Sequence, residues 1–155
     1  MAIYFVRHAK AGKQGVTWDG PDELRPLARA GRRQAKGLAA ALPPTAGARI
    51  VSSPAVRCVQ TVEPLAKQWG TSVELAEVLA EGRSFLEVLD FLEDLPDGSV
   101  LCSHGDVIPD VIDALVRRGL EVDGTPDWRK GSTWVLTRDD ERRFVHGHAL
   151  PPPPD

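Results

Sequence analysis

Apolar positions along this chain fall into two patterns: short unbroken runs, and stretches where they recur every three or four residues. Ile3 to Val6, Arg49 to Ser52 and Val100 to Ser103 are short, apolar-rich runs that end at polar residues, as central parallel strands covered on both faces do. Between the first two, Leu27, Gly31, Ala35, Leu38 and Leu42 repeat at helical spacing until Pro43-Pro44 stops them. Arg25, Arg29, Arg32, Arg33 and Lys36 fall on other faces and read as a solvated series. Val56, Val59, Val62, Ala66 and Trp69 predict the buried stripe of a second helix. Ser53-Pro54 is its expected start, with serine as cap and proline in the first turn, and Pro64 is expected to kink or split it. Val73 to Leu75 reads as a short strand. Phe85, Val88, Leu89 and Leu92 predict a third helix; Val107, Val111, Ile112 and Leu115 predict a fourth, capped by Asp106 with Pro109 in its first turn. Thr133 to Thr137 and Phe144 to His148, around the polar segment 138–143, predict a β-hairpin.

Strands alternating with helices and ending in a hairpin predict an α/β fold: a three-layer α/β/α sandwich whose mainly parallel central sheet carries an antiparallel edge hairpin. The length of 155 residues suits one domain, expected over residues 1–150, since a chain of this size buries roughly 70% of its unfolded surface. Residues 151–155, Pro151 to Pro154 and Asp155, are expected to form an extended, solvated tail outside the fold. The loop from Ala11 to Pro26, punctuated by glycine and proline, is long enough to be a functional one.

Charge narrows the functional classes. A formal net charge of -3 argues against a nucleic-acid polymer as partner, so any anion recognition must be local. No apolar stretch approaches the roughly 20 residues of a membrane span, and the N-terminal run is broken at Arg7 before it could serve as a secretory segment. Cys58 and Cys102 occupy core-facing positions and form no disulfide framework, which makes a reducing cytoplasm the expected location. Oligomeric state is not specified; Trp128 and Trp134 are contact candidates if exposed together, and core packing is their plainer use.

Three basic signals stand where strands hand over to helices: Arg7-His8, Arg57 and His104-Gly105. In an open parallel sheet these positions converge on one edge. A neutral imidazole such as His8 can attack phosphorus through one ring nitrogen while the other keeps its proton on a fixed acceptor. Arg7, Arg57 and a protonated His104 would surround the phosphoryl oxygens, with N–H groups of the helix start after Gly105. Such a site calls for no metal and no cofactor. A departing alkoxide needs a proton, for which Glu81 is the better-placed acid and Glu77 its rival. Lys10 and Lys13, in the loop after His8, are candidate substrate contacts. His146 and His148 share a strand face but lack a third ligand, and a structural or surface role is expected. A cysteine phosphatase would need an arginine six residues after its cysteine; those positions hold Pro64 and Ile108.

The set Val6 to Lys10, Ser53 to Thr61, Leu79-Ala80-Glu81 and Ser103-His104-Gly105 resembles the histidine phosphatase superfamily, also called phosphoglycerate-mutase-like. Arg25-Pro26-Leu27 followed by Gly31 to Ala35 resembles its small SixA-type branch. Val107 to Asp110 and Arg129 to Leu136 are similar to the histidine phosphatase domain that follows a Nudix domain in actinobacterial MutT-type hydrolases. The resemblance implies that His8 is the phosphorylated nucleophile, that Arg7, Arg57 and His104 hold the phosphoryl group, and that Glu81 is the proton donor. Ala9 departs from the commoner glycine after the nucleophile, and these 155 residues are not expected to include a Nudix domain. The expected activity is a metal-independent phosphohydrolase with a phosphohistidine intermediate, acting on a phosphomonoester, a nucleotide or a protein phosphohistidine. A mutase is disfavoured because it must shield its phosphohistidine from water. The competing reading is a non-catalytic phosphate-binding sensor or partner module, which would have no need of a nucleophile.

Overall fold

The computed structural model describes residues 1–155. Seven strands form one mixed sheet in the order β3-β2-β4-β1-β6-β7-β5. They are β1 (Ala2–Arg7), β2 (Ile50–Ser52), β3 (Glu74–Leu75), β4 (Val100–Ser103), β5 (Glu121–Val122), β6 (Thr133–Arg138) and β7 (Phe144–Leu150). Four pairings are parallel, namely β1·β4, β2·β4, β2·β3 and β5·β7. The β6–β7 hairpin is antiparallel and joins β1 on its antiparallel side.

The helices are α1 (Arg29–Ala41), α2 (Val56–Trp69), α3 (Phe85–Glu93) and α4 (Ile108–Arg117). Strand alternation assigns each pair to a face. Val6, Ile50, Val100 and Cys102 pack with Leu38, Leu42, Val62 and Leu65 of the α1–α2 layer. Ile3, Phe5, Val51, Leu101 and Trp134 pack with Val88, Leu92, Val111 and Leu115 of the α3–α4 layer. Both faces are therefore covered, which is why the central runs are continuously apolar. No helix is long and apolar enough to cross a membrane.

Several local expectations are corrected. Helix α2 runs unbroken through Pro64, which is partly exposed, so the Gln60 carbonyl freed by the missing N–H lies on an accessible side. Its buried face is Arg57, Cys58, Thr61, Val62, Leu65 and Ala66, rotated from the stripe that Val56, Val59 and Trp69 predict. The cause is that two polar residues, Arg57 and Thr61, turn inward. Ser53 does not cap α2: the capping position is Ala55, without a side-chain bond, and Pro54 lies before the helix. Asp106 does not cap α4 either; its Oδ2 accepts from Gly82 N at 2.8 Å. Residues 151–155 do not stand away in solvent. Pro152 and Pro153 are partly buried, and Pro153 rests on Gly37, where a Cβ would come within 2.6 Å of its ring. Asp155 pairs with Lys10.

Candidate active site

Parallel register brings the strand ends together. Arg7 lies beside Ser103 and Ser52 beside Cys102, so the residues that follow, His8, Ser53 and His104, emerge along one edge. His8 N donates to Ser103 O (3.1 Å) and Ser53 N to Cys102 O (3.0 Å), extending each ladder by one bond. Two further segments clamp the backbone at His8. Gly131 N, in a left-handed turn (φ 88), donates to Arg7 O (3.1 Å) and His8 O (3.0 Å). From the other side, α1 presses on Lys10: a Cβ at Gly31 would lie 1.9 Å from Lys10 O, and Gln34 Oε1 accepts from Lys10 N at 3.0 Å. Only glycine allows that approach.

His8 is 5% exposed, and its Nδ1 lies 2.8 Å from Ala9 O. A carbonyl only accepts, so Nδ1 carries the proton and Nε2 keeps a free lone pair. Burial, followed by the His104 ring and the charges of Arg57 and Arg7, lowers the His8 pKa to about 3 and outweighs the bond to Ala9. His8 is thus a neutral, oriented imidazole. Thr61 extends its support: Oγ1 accepts from Ala9 N (2.9 Å) and donates to Arg57 O (2.7 Å). One hydroxyl ties the peptide that orients His8 to the backbone of Arg57.

Arg57 is 2% exposed, and its Nη2 donates to Glu81 Oε2 (2.7 Å) and Asp22 Oδ2 (3.3 Å), while Nη1 donates to Asp22 O (2.9 Å). A buried guanidinium without such partners would be destabilising by several kcal/mol, about 3–5 on removal of one partner of a buried pair. His104 stands beside it with its ring centroid 5.6 Å from that of His8, in an edge-to-face arrangement. His104 Nδ1 faces Arg57 Nη2 (3.5 Å) and Glu81 Oε2 (3.7 Å). On its other side, Nε2 meets Ser53 Oγ at 2.8 Å and Cys58 Sγ at 3.6 Å. Arg7 lies flat against Gly105, where a Cβ would fall 2.7 Å from its Cζ, and its Nη1 donates to Trp128 O (2.7 Å). Buried Arg7 Nε and Arg57 Nε have no protein acceptor, the state of donors arranged for an anion.

The structure thus brings together His8, Arg7, Arg57, His104 and Glu81, while Glu77 lines the same mouth without touching Arg57 or His104. Gly105 serves as the surface on which Arg7 lies. Lys10 is held by Asp155, and Lys13 is exposed in the loop. His146 belongs to the opposite end of the sheet, where its Nδ1 faces Asp123 (3.4 Å) and Glu121 (3.9 Å). No group of three His, Cys, Asp or Glu side chains is arranged to hold a metal ion. Residues missed in the sequence are Asp22, Ser53 as partner of His104, Thr61 and the segment Trp128–Gly131. Of these only Thr61 carried a local signal: four residues after Arg57, it shares that arginine's helix face.

Known proteins resemble this chain in sequence and in fold. The sequence profile described as Histidine phosphatase superfamily (branch 1) matches residues 3–88. An 8-oxo-(d)GTP phosphatase of Mycolicibacterium smegmatis is 33% identical over 97% of this chain, which spans 48% of that relative's length. Among solved structures, the protein histidine phosphatase SixA complexed with tungstate superposes with a TM-score of 0.68 at 20% identity, covering 97% of this chain and 94% of that one. SixA of Agrobacterium tumefaciens gives a TM-score of 0.69 at 22% identity, over 94% and 96% of the two chains. At those identities the likeness concerns the fold.

Proposed function

Because this chain belongs to the histidine phosphatase superfamily (branch 1) and is a phosphatase of that family, we propose that it hydrolyses its substrate through a phosphohistidine on His8. The observation that carries the reading is the state of His8: Nδ1–H fixed on Ala9 O, Nε2 free, and two guanidinium groups and the His104 ring around it. Nε2 attacks phosphorus in line, and the bond from phosphorus to the leaving oxygen breaks. The equatorial oxygens gain charge as this happens, and Arg7, Arg57 and His104 stabilise it through donors already in place. Glu81, on Arg57 and 3.7 Å from His104 Nδ1, gives the leaving oxygen its proton. The resulting carboxylate then takes a proton from water, whose oxygen attacks the phosphohistidine. Inorganic phosphate departs, and His8 and Glu81 return to their starting forms. The positive charge needed is supplied by side chains, so no step calls on a metal or a cofactor.

The substrate class we propose is a nucleotide. Its support is the 8-oxo-(d)GTP phosphatase relative, which is about twice as long as this chain. A protein phosphohistidine is the reading that the SixA likeness favours. The two buried free thiols suit a reducing cytoplasm. The test is phosphate release by the purified chain, with a chelator present, from nucleotides, sugar phosphates and phosphohistidine peptides. Release from a nucleotide in preference to the others is expected. Release from none, or only on addition of a divalent metal, would contradict the proposal.

A further inference from the structure

The segment that clamps His8 also brings charge to it. Trp128 O accepts from Arg7, and Gly131 N reaches the carbonyls of Arg7 and His8, so Arg129 and Lys130 stand directly over the nucleophile's backbone. There they line an open groove of about 530 Å³ together with Lys10 and Gln34. Arg7 lines this groove as well, so the groove adjoins the proposed phosphoryl site through that arginine. The cations differ in their pairing. Arg129 is held by Asp127 at 2.6 Å and Arg25 by Asp22 at 3.0 Å. Neither Lys13 nor Lys130 has an acidic partner. Burial, followed by the neighbouring Arg7, Arg25, Lys13 and Arg57, lowers the Lys130 pKa, as expected of an ammonium facing other cations. The one carboxylate lining the groove is Asp155, which pairs with Lys10 on the chain's own docked C-terminal segment.

We infer that this groove, lined by Lys130, Lys10 and Arg129, is a subsite for a second phosphate group on the substrate, and that Asp155 occupies it as an internal competitor. The inference rests on the phosphohydrolase reading and deepens it: the favoured substrate is a diphosphate. His8 takes the terminal phosphoryl group, the bond to the bridging oxygen breaks, and the inner phosphate leaves with that oxygen from the lysine groove, its charge held by the lysines rather than relieved by a proton from Glu81. Water then releases inorganic phosphate from His8, so the net reaction is diphosphate plus water to monophosphate plus phosphate. Asp155 must give up Lys10 for the inner phosphate to reach it.

The test compares kcat/KM of the full chain for GDP, which carries the second phosphate, and for p-nitrophenyl phosphate, which lacks it. Lys130→Met is expected to lower the ratio of the two about tenfold, the size of one charge-assisted hydrogen bond. Lys130→Arg should restore most of the ratio, and Lys10→Met should lower it by a smaller factor. Asp155→Asn should raise it, through a lower KM for GDP. An unchanged ratio in both lysine-to-methionine variants overturns the subsite, as does a wild-type chain that cleaves the aryl ester and leaves GDP intact. Failure to cleave either substrate would overturn the subsite and the phosphohydrolase reading together.

Discussion

The two sides of the phosphoryl site carry opposite charge. On the Glu81 side, Asp22, Glu23, Glu77 and Glu81 surround Arg57 and His104; on the Lys130 side, Lys10, Arg129 and Lys130 adjoin Arg7. Acidic residues beside a phosphate site weaken anion binding, so their presence needs a chemical use. In the proposed mechanism Glu81 has one, since its Oε2 meets Arg57 Nη2 and lies 3.7 Å from His104 Nδ1. The basic side has no acid within reach of the reacting atoms and is suited to holding charge already on the substrate. The difference separates proton handling from anion binding, and it can be broken experimentally.

The largest effect is expected at the junction of the two sides. Arg57→Ala removes the proposed transition-state donor and leaves Glu81 without its cation, so kcat should fall by roughly 10²–10³. A change confined to thermal stability would deny Arg57 that place. Glu81→Gln sharpens the contrast: alkyl phosphates, whose leaving groups need a proton, should slow by about 10²-fold, and p-nitrophenyl phosphate by far less. Equal slowing of both would give Glu81 a positioning role alone. Thr61→Val, which removes the hydroxyl between Ala9 N and Arg57 O, should lower kcat about tenfold with little change in KM. Thr61→Ser should recover most of the loss, and a rise in KM alone would contradict the positioning role.

The smallest effect is a titration that should not occur. With a pKa near 3 in the fold against about 6.5 unfolded, His8 stays neutral from pH 8 to 5, and its ring nitrogen shifts should be constant over that range. The sign for stability follows. Below about pH 6.5 the unfolded chain takes up a proton that folded His8 refuses, so this group lowers stability as pH falls from 6.5 towards 3. A His8 titration midpoint near 6.5 in the folded protein would contradict the buried, neutral state.

Much of the fold is legible in sequence because the strand ends carry the candidate chemistry. Unbroken apolar runs ending in Arg7-His8 and Ser103-His104 mark parallel strands and their functional edge together. Legibility failed where a polar residue serves a distant partner. Ser53 and Asp106 both stand just before a helix, where local rules predict capping, yet their oxygens meet His104 Nε2 and Gly82 N across the fold. The turning of α2 was hidden for the same reason: apolar counting favours Val56 and Val59, and the site draws Arg57 and Thr61 inward instead. The prolines of 151–155 predict a solvated tail, and nothing local to them announces the notch at Gly37 or the partner at Lys10. Nothing local to Lys130 marks it either: its place beside His8 follows from the bonds of Gly131 N to the carbonyls of Arg7 and His8.

The central claim is covalent catalysis by His8 Nε2. Rapid acid-free quenching during turnover of p-nitrophenyl phosphate, followed by peptide mass spectrometry under alkaline conditions, reads it directly. A single phosphoryl group on the peptide containing His8, lost on mild acid treatment and absent from inactive His8→Asn, is the predicted result. Turnover retained by His8→Asn, or phosphate found on any other residue of the wild type, would contradict the account.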